Sequence, residues 1–318
     1  VSGKSRKIIP LDITGLLLSL VTALMWGTLP VALKKVLEVM DAVTVTWVRL
    51  VFAAILVGGF YLISGKWPPK KHFSRRSIAL LGGVALALAA NYWLFLAGLN
   101  LVAPPLAQVT IQLGPFFLAL GGWLLFSENI RRRQMTGFFA MVTGFWVFYS
   151  AQVTASGSSG TSGFDQQTAG VWLVVLAAVA WAFYALIQKL LAVRFPSSFI
   201  LFCGYAGASV LLLPVSRPSV LLELRDPAHW WLLLFCCLNT VIAYGCFAEA
   251  VRRWDASRVS AVLALTPILT FLSAGFVSGA ITDWLSPALL GGIGLVVGGS
   301  MVAALGARRR DSGISSEV

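Results

Sequence analysis

Charge is what this 318-residue chain has least of. Asp, Glu, Lys and Arg make up 11% of it, against 58% hydrophobic residues and a mean hydropathy of +0.86. A soluble domain carries about 25% charged residues to keep its surface wet. A chain so short of charge has lipid as its solvent. Histidine is also scarce, with only His72 and His229. No Gly-rich phosphate loop, HExxH motif, intramembrane Asp pair or Ser/His pair is present, which argues against an enzyme. Four cysteines, Cys203, Cys236, Cys237 and Cys246, lie in apolar runs without CxxC spacing. They read as small buried hydrophobes rather than zinc ligands or disulfides. No metal or other cofactor is expected. No selectivity-filter loop or ring of charge suggests a channel. The apolar run after the amino terminus lacks a small-residue cleavage pattern and reads as a retained span.

The charge that is present is strongly basic, at a net +12. It is not woven among aromatics in a polar domain, so nucleic acid is not an expected partner. Ten apolar runs are long enough to cross a bilayer as helices. They cover about 14–33, 44–63, 78–99, 105–126, 135–150, 170–190, 198–214, 229–250, 257–278 and 287–306. With the amino terminus in the cytoplasm, the inner loops and tails hold nineteen of the 24 Lys and Arg. The outer ones hold Lys34, Lys35, Arg217 and Arg225, and Arg49 lies within a span. Cytoplasmic loops are the ones that should be rich in these residues. The sequence therefore predicts an all-α membrane protein of ten spans with both termini cytoplasmic.

Near the middle, Ala155–Gly163 is almost wholly Gly, Ser and Thr. It marks a flexible external linker, 151–169, between repeats at 14–150 and 170–306. Trp26 and Lys34 recur as Trp181 and Lys189, an offset of 155. Tyr92 and Pro115 recur as Tyr244 and Pro267, an offset of 152. Gly137 and Gly144 match Gly291 and Gly298, an offset of 154. Five spans per half is an odd number, so the halves are expected to be inverted in the membrane. That is a plan of secondary transporters, with the solute near the midplane.

Polar groups inside apolar helices are the candidate site residues. Gln108 and Gln112 share a helix face and suit a zwitterionic or polyhydroxyl solute, or else join helices. Asn91 lies mid-span, lining a cavity or packing. Trp26 and Trp181, with Tyr184 and Gln188 on the Trp181 face, form an aromatic wall or ordinary packing. Tyr92 and Tyr244 offer the same two readings. Pro115 and Pro267 each remove a helical hydrogen bond and are expected as hinges or as points where backbone carbonyls open to a cavity. Arg49 is expected to snorkel outward or to pair with Asp41 or Glu38, in a structural or gating role. Glu249 either pairs with Arg252 and Arg253 or faces the cavity and couples transport to protons. Glu128, beside three arginines, is expected as a cap or gate.

These residues carry a resemblance. Ala23–Gly27, Arg49, Ala97–Asn100, Leu113–Pro115 and Ser127–Glu128, with Ile242–Tyr244, Ala256–Val259 and Leu265–Pro267, resemble the EamA family of drug/metabolite transporters. The resemblance spans about residues 14–306 and implies ten spans, a central cavity and alternating access. It implies a multi-pass exporter of a small organic metabolite in the bacterial inner membrane, with amino acids the leading class. Drug or quaternary-cation efflux is the alternative, and a non-transporting membrane scaffold is another. The first span holds no acid, which argues against the proton/cation exchange of small multidrug-resistance pumps. The expected partners are the small-molecule solute and the bilayer, and both a monomer and a homodimer fit the pattern.

Overall fold

The computed structural model describes residues 13–127, 129–155, 161–254, 256–279 and 286–306. Among them the regular elements are all helical, and nine spans are long and apolar enough to cross a membrane. The first three are α1 (Ile13–Val36), α2 (Ala42–Ser64) and α3 (Arg75–Leu101). Then come α4 (Pro104–Ile111) and α5 (Gly114–Phe126), which together make one broken span, followed by α6 (Arg132–Ala155). After these come α7 (Thr161–Leu191), α8 (Ser197–Leu212), the single turn α9 (Val220–Glu223) and α10 (Pro227–Arg253). A second broken span, α11 (Ala256–Leu263) and α12 (Thr266–Ser278), precedes α13 (Pro287–Gly306).

Two segments differ from the simple span and linker pattern. The fifth run, expected at 135–150, forms a 24-residue helix, but α6 is not among the nine spans. Its threonines, glutamines, Trp146 and Tyr149 hold its hydropathy down, although it lies along α13. The linker expected at 151–169 is largely helical. Helix α6 continues to Ala155 and α7 already begins at Thr161; residues 156–160 lie outside the described residues. Once a span has nucleated a helix, each further turn is cheap to add. A 2.9 Å hydrogen bond between the hydroxyls of Tyr149 and Thr168 joins the two helix ends.

Helix ends follow local chemistry. Asp41 accepts a hydrogen bond from the Thr44 amide at the start of α2, and Ser74 accepts one from the Ser77 amide at the start of α3. Side-chain oxygens there satisfy amides that the helix leaves open. Ser127 and Gly279 close α5 and α12 in the left-handed region, at φ 51° and 67°. Pro115 and Pro267 explain the two breaks. Proline has no N–H for the carbonyl four residues back and clashes with it. Those carbonyls belong to Ile111 and Leu263, the last residues of α4 and α11.

Helices of the first part of the chain pack chiefly on helices of the second. Helix α3 lies on α7 and α8, α1 lies on α10 and α12, and α6 lies on α13. The α6–α13 contact is antiparallel: Gln134 meets Gly306, Met141 meets Gly299, and Phe148 meets Gly292. A methyl group added at Gly137 would lie 2.6 Å from the Gly299 carbonyl oxygen, and one at Gly144 would lie 2.8 Å from that of Gly292. Small residues let backbones approach without lipid or side chains between them. Gly291 and Gly298, expected as the matching pair, have nothing near their open side; the contact is made by Gly292 and Gly299. Those two lie 155 residues after Gly137 and Gly144, the offset that also relates Trp26 to Trp181. Around the outside, Ile55, Leu86, Phe139, Trp146, Trp172, Phe183, Trp231 and Phe276 are exposed. An apolar surface this continuous is a lipid-facing one.

Candidate functional site

Five helices meet near mid-depth through aromatic side chains. Trp26, halfway along α1, sets its ring edge-on against Tyr244 of α10, with centroids 5.2 Å apart, and rests on Phe247 at 5.6 Å. Tyr92 of α3 shares a buried neighbourhood with Tyr244, Tyr184 of α7 and Tyr205 of α8. The guanidinium of Arg49 from α2 stacks over the Tyr92 ring, 5.0 Å from its centroid. A cation over an aromatic face is attracted by the ring quadrupole.

Arg49 departs most from expectation. It does not snorkel, for it is 3% exposed. It does not pair with Glu38, which binds Lys35 at 2.9 Å, or with Asp41, which caps α2. Its Nε donates to Thr240 Oγ1 at 3.1 Å and to the Cys236 carbonyl at 3.4 Å, both on α10. Among the described residues no carboxylate pairs with it. Among the described residues its two terminal nitrogens make no hydrogen bond, and neither is fully enclosed. The side chain points sideways into the bundle because Tyr92 and Thr240 receive it there, seven residues into α2 or roughly 10 Å along its axis.

The two broken helices meet beside this group. Gln112, at the end of α4, donates from Nε2 to Thr266 Oγ1 at the start of α12, at 3.1 Å. Thr270 Oγ1 donates to the Gly27 carbonyl at 2.5 Å, next to Trp26. The Trp181 ring lies over Gly114, the first residue of α5, so that an added methyl there would be 3.1 Å from the ring. Gln108, one turn before Gln112, is 7% exposed; among the described residues its amide makes no hydrogen bond, and it is not fully enclosed.

The structure thus gathers Trp26, Tyr92, Tyr184 and Tyr244 around Arg49, with Gln112 and Trp181 at the helix breaks. Asn91 is turned to helix packing, donating to the Ala177 carbonyl at 2.8 Å. Gln188 lies half-buried one turn beyond Tyr184. Glu249 is tied locally, to Arg252 at 2.6 Å and to Arg253 at 2.5 Å, with a third of its side chain exposed. Glu128 lies outside the described residues. Sequence reasoning missed Tyr205, Thr240, Thr266 and Thr270. The last two are spaced i, i+4 on one face of a span, the same signal that picked out Gln108 and Gln112. It also missed Lys34, which donates to the carbonyls of Leu99 and Asn100 at 2.8 Å and of Val102 at 3.1 Å, capping α3.

With this geometry in place, the similarities to known proteins can be weighed. The EamA-like transporter family matches residues 13–150 and again 168–305. An Escherichia coli protein named as the uncharacterized inner membrane transporter YhbE is 34% identical over 305 residues, covering 92% of each chain. A Haemophilus influenzae protein named as an uncharacterized transporter is 35% identical over 299 residues, covering 92% of this chain and 95% of its own. A Salmonella typhimurium protein named as a probable amino-acid metabolite efflux pump is 24% identical over 306 residues, 92% of this chain and 95% of its own. One solved crystal structure superposes with a TM-score of 0.64 at 22% identity, covering 92% of this chain and 99% of that one, which is a likeness of fold.

Proposed function

This chain belongs to the EamA-like transporter family, and on that footing we propose that it exports a small organic metabolite, with amino acids the leading class, by alternating access. It is a multi-pass membrane transporter of the inner membrane. In this reading α6 is a tenth span, and the two halves are inverted repeats with both termini in the cytoplasm. Three observations support it. The family matches twice at an offset of 155 residues. The glycines of α6 and α13 related by that offset contact each other crosswise and antiparallel. With ten spans, nineteen of the 24 Lys and Arg would fall in the cytoplasmic loops and tails.

The observation that carries the reading is that aromatic and amide groups from both halves converge at mid-depth: Trp26 on Tyr244 and Gln112 on Thr266. Polar groups are costly at that depth and characteristically line a solute path. Trp26, Tyr92, Gln108, Gln112, Trp181, Tyr184 and Tyr244 would contact the solute, with Asn91 and Gln188 at the margin. Pro115 and Pro267 would be the hinges, since each follows a break where one half-helix can tilt on the next. Outward direction and the amino-acid class rest on what the Salmonella relative is named for. The test is counterflow in proteoliposomes preloaded with single amino acids. Accumulation of the matching labelled amino acid is expected. A folded protein that moves none of the twenty, while moving lipophilic cations, would replace this reading with drug efflux.

A further inference from the structure

We infer that Arg49 is the anion-receiving group of this site and that the transported solute presents it a carboxylate. The inference rests on the transport reading and narrows its substrate class. Arg49 is a permanent cation at 3% exposure, held by one face and one nitrogen. Its Nε is tethered to Thr240 and its Cζ lies over the Tyr92 ring, which holds the guanidinium in place. The two terminal nitrogens have no hydrogen-bond partner among the described residues and are not fully enclosed. A buried charge without a counter-ion is strongly unfavourable unless something compensates it. A purely structural arginine would be expected to have its terminal nitrogens satisfied as well. The fork of a guanidinium matches a carboxylate with two parallel hydrogen bonds.

The rest of the group narrows the ligand. Four acids are engaged elsewhere: Glu38 with Lys35, Asp226 with His229, Glu249 with Arg252 and Arg253, and Asp41 at the cap of α2. No second basic residue is placed with Arg49, and Lys34 is committed to the end of α3. One fixed positive charge suits a monovalent carboxylate better than a phosphate dianion, and it repels quaternary cations. The Trp26–Tyr244 edge and the tyrosines around Tyr92 would take the remainder of the solute, which favours a compact amino acid with an apolar side chain.

The test compares each amino acid with its C-terminal amide, which keeps the side chain and the ammonium but lacks the carboxylate. Binding is read as thermal stabilisation of the purified protein and transport as counterflow. Wild type is expected to prefer acid over amide by about tenfold to a hundredfold, the worth of a hydrogen-bonded charge pair. Arg49→Gln is expected to erase that preference, and Arg49→Lys to keep it in weakened form. Should Arg49→Gln fail to fold, Thr240→Val serves in its place: it frees the guanidinium to turn and should reduce the ratio while the charge remains. Equal handling of acid and amide by wild type, or an unchanged ratio in Arg49→Gln, overturns the inference and leaves transport standing. If wild type moves no solute of any kind, the transport reading falls instead. An arginine that only staples α2 to α10 would lower stability in its variants without moving the acid-to-amide ratio.

Discussion

At the scale of single residues, the site separates side chains that touch open space from those committed to the protein. Gln112 and Trp26 stand at the junction of the two halves, so Gln112→Ala and Trp26→Ala should each lower transport at least tenfold without unfolding the protein. Counterflow alongside a melting curve checks this, and normal flux in both would place the solute elsewhere. Glu249 is held by two arginines on its own helix. Solvent screens exposed pairs of this kind, so Glu249→Gln should leave flux within about twofold and its pH profile unmoved. A pH profile that flattens in this variant would restore the proton-coupling role. A second cation brought within about 6 Å of Arg49 would be repelled by about 3 kcal/mol at an effective dielectric constant near 20. Tetraethylammonium should therefore bind poorly to wild type and better to Arg49→Gln, a difference isothermal titration can measure.

At the scale of helices, two devices stand out. One is the close contact of α6 with α13. Gly144→Leu would drive a side chain into the Gly292 backbone, and overpacking of this kind costs about 1–3 kcal/mol or more. Gly291→Leu faces open space and should change the melting temperature little. Similar losses from both would mean that the two helices do not approach in this register. The other device is the Lys34 side chain at the end of α3. A cation there satisfies carbonyls the helix leaves open and complements its dipole, worth about 0.3–2 kcal/mol. Lys34→Met should lower the melting temperature accordingly. The broken spans were legible from Pro115 and Pro267, because proline's missing N–H acts locally. The register of the glycines was not legible. A spacing of seven fits both Gly291 with Gly298 and Gly292 with Gly299, and only the partner helix distinguishes them. The helical ends that flank residues 156–160 were not legible either, because helices already nucleated extend through residues of poor propensity.

At the scale of the whole molecule, composition and the placement of Lys and Arg made the membrane class and most of the helix boundaries readable, because lipid imposes length and apolarity on each span alone. The direction in which Arg49 points was not readable. It depends on Tyr92 and Thr240, which arrive from helices far along the chain. The same is true of Tyr205, whose role comes from its neighbours rather than from any local pattern. A group of polar side chains at mid-depth is shared by the two halves, which in the proposed mechanism rock against each other. The most direct test of that picture labels a single cysteine at Gln108, introduced after Cys203, Cys236, Cys237 and Cys246 are replaced by alanine. A membrane-impermeant thiol reagent is applied from either face, with and without substrate. Labelling from both faces is predicted, with the ratio shifting when substrate is bound, because the site opens to one side at a time. A cysteine that labels from one face only, or from both in a ratio that substrate leaves unchanged, would contradict alternating access.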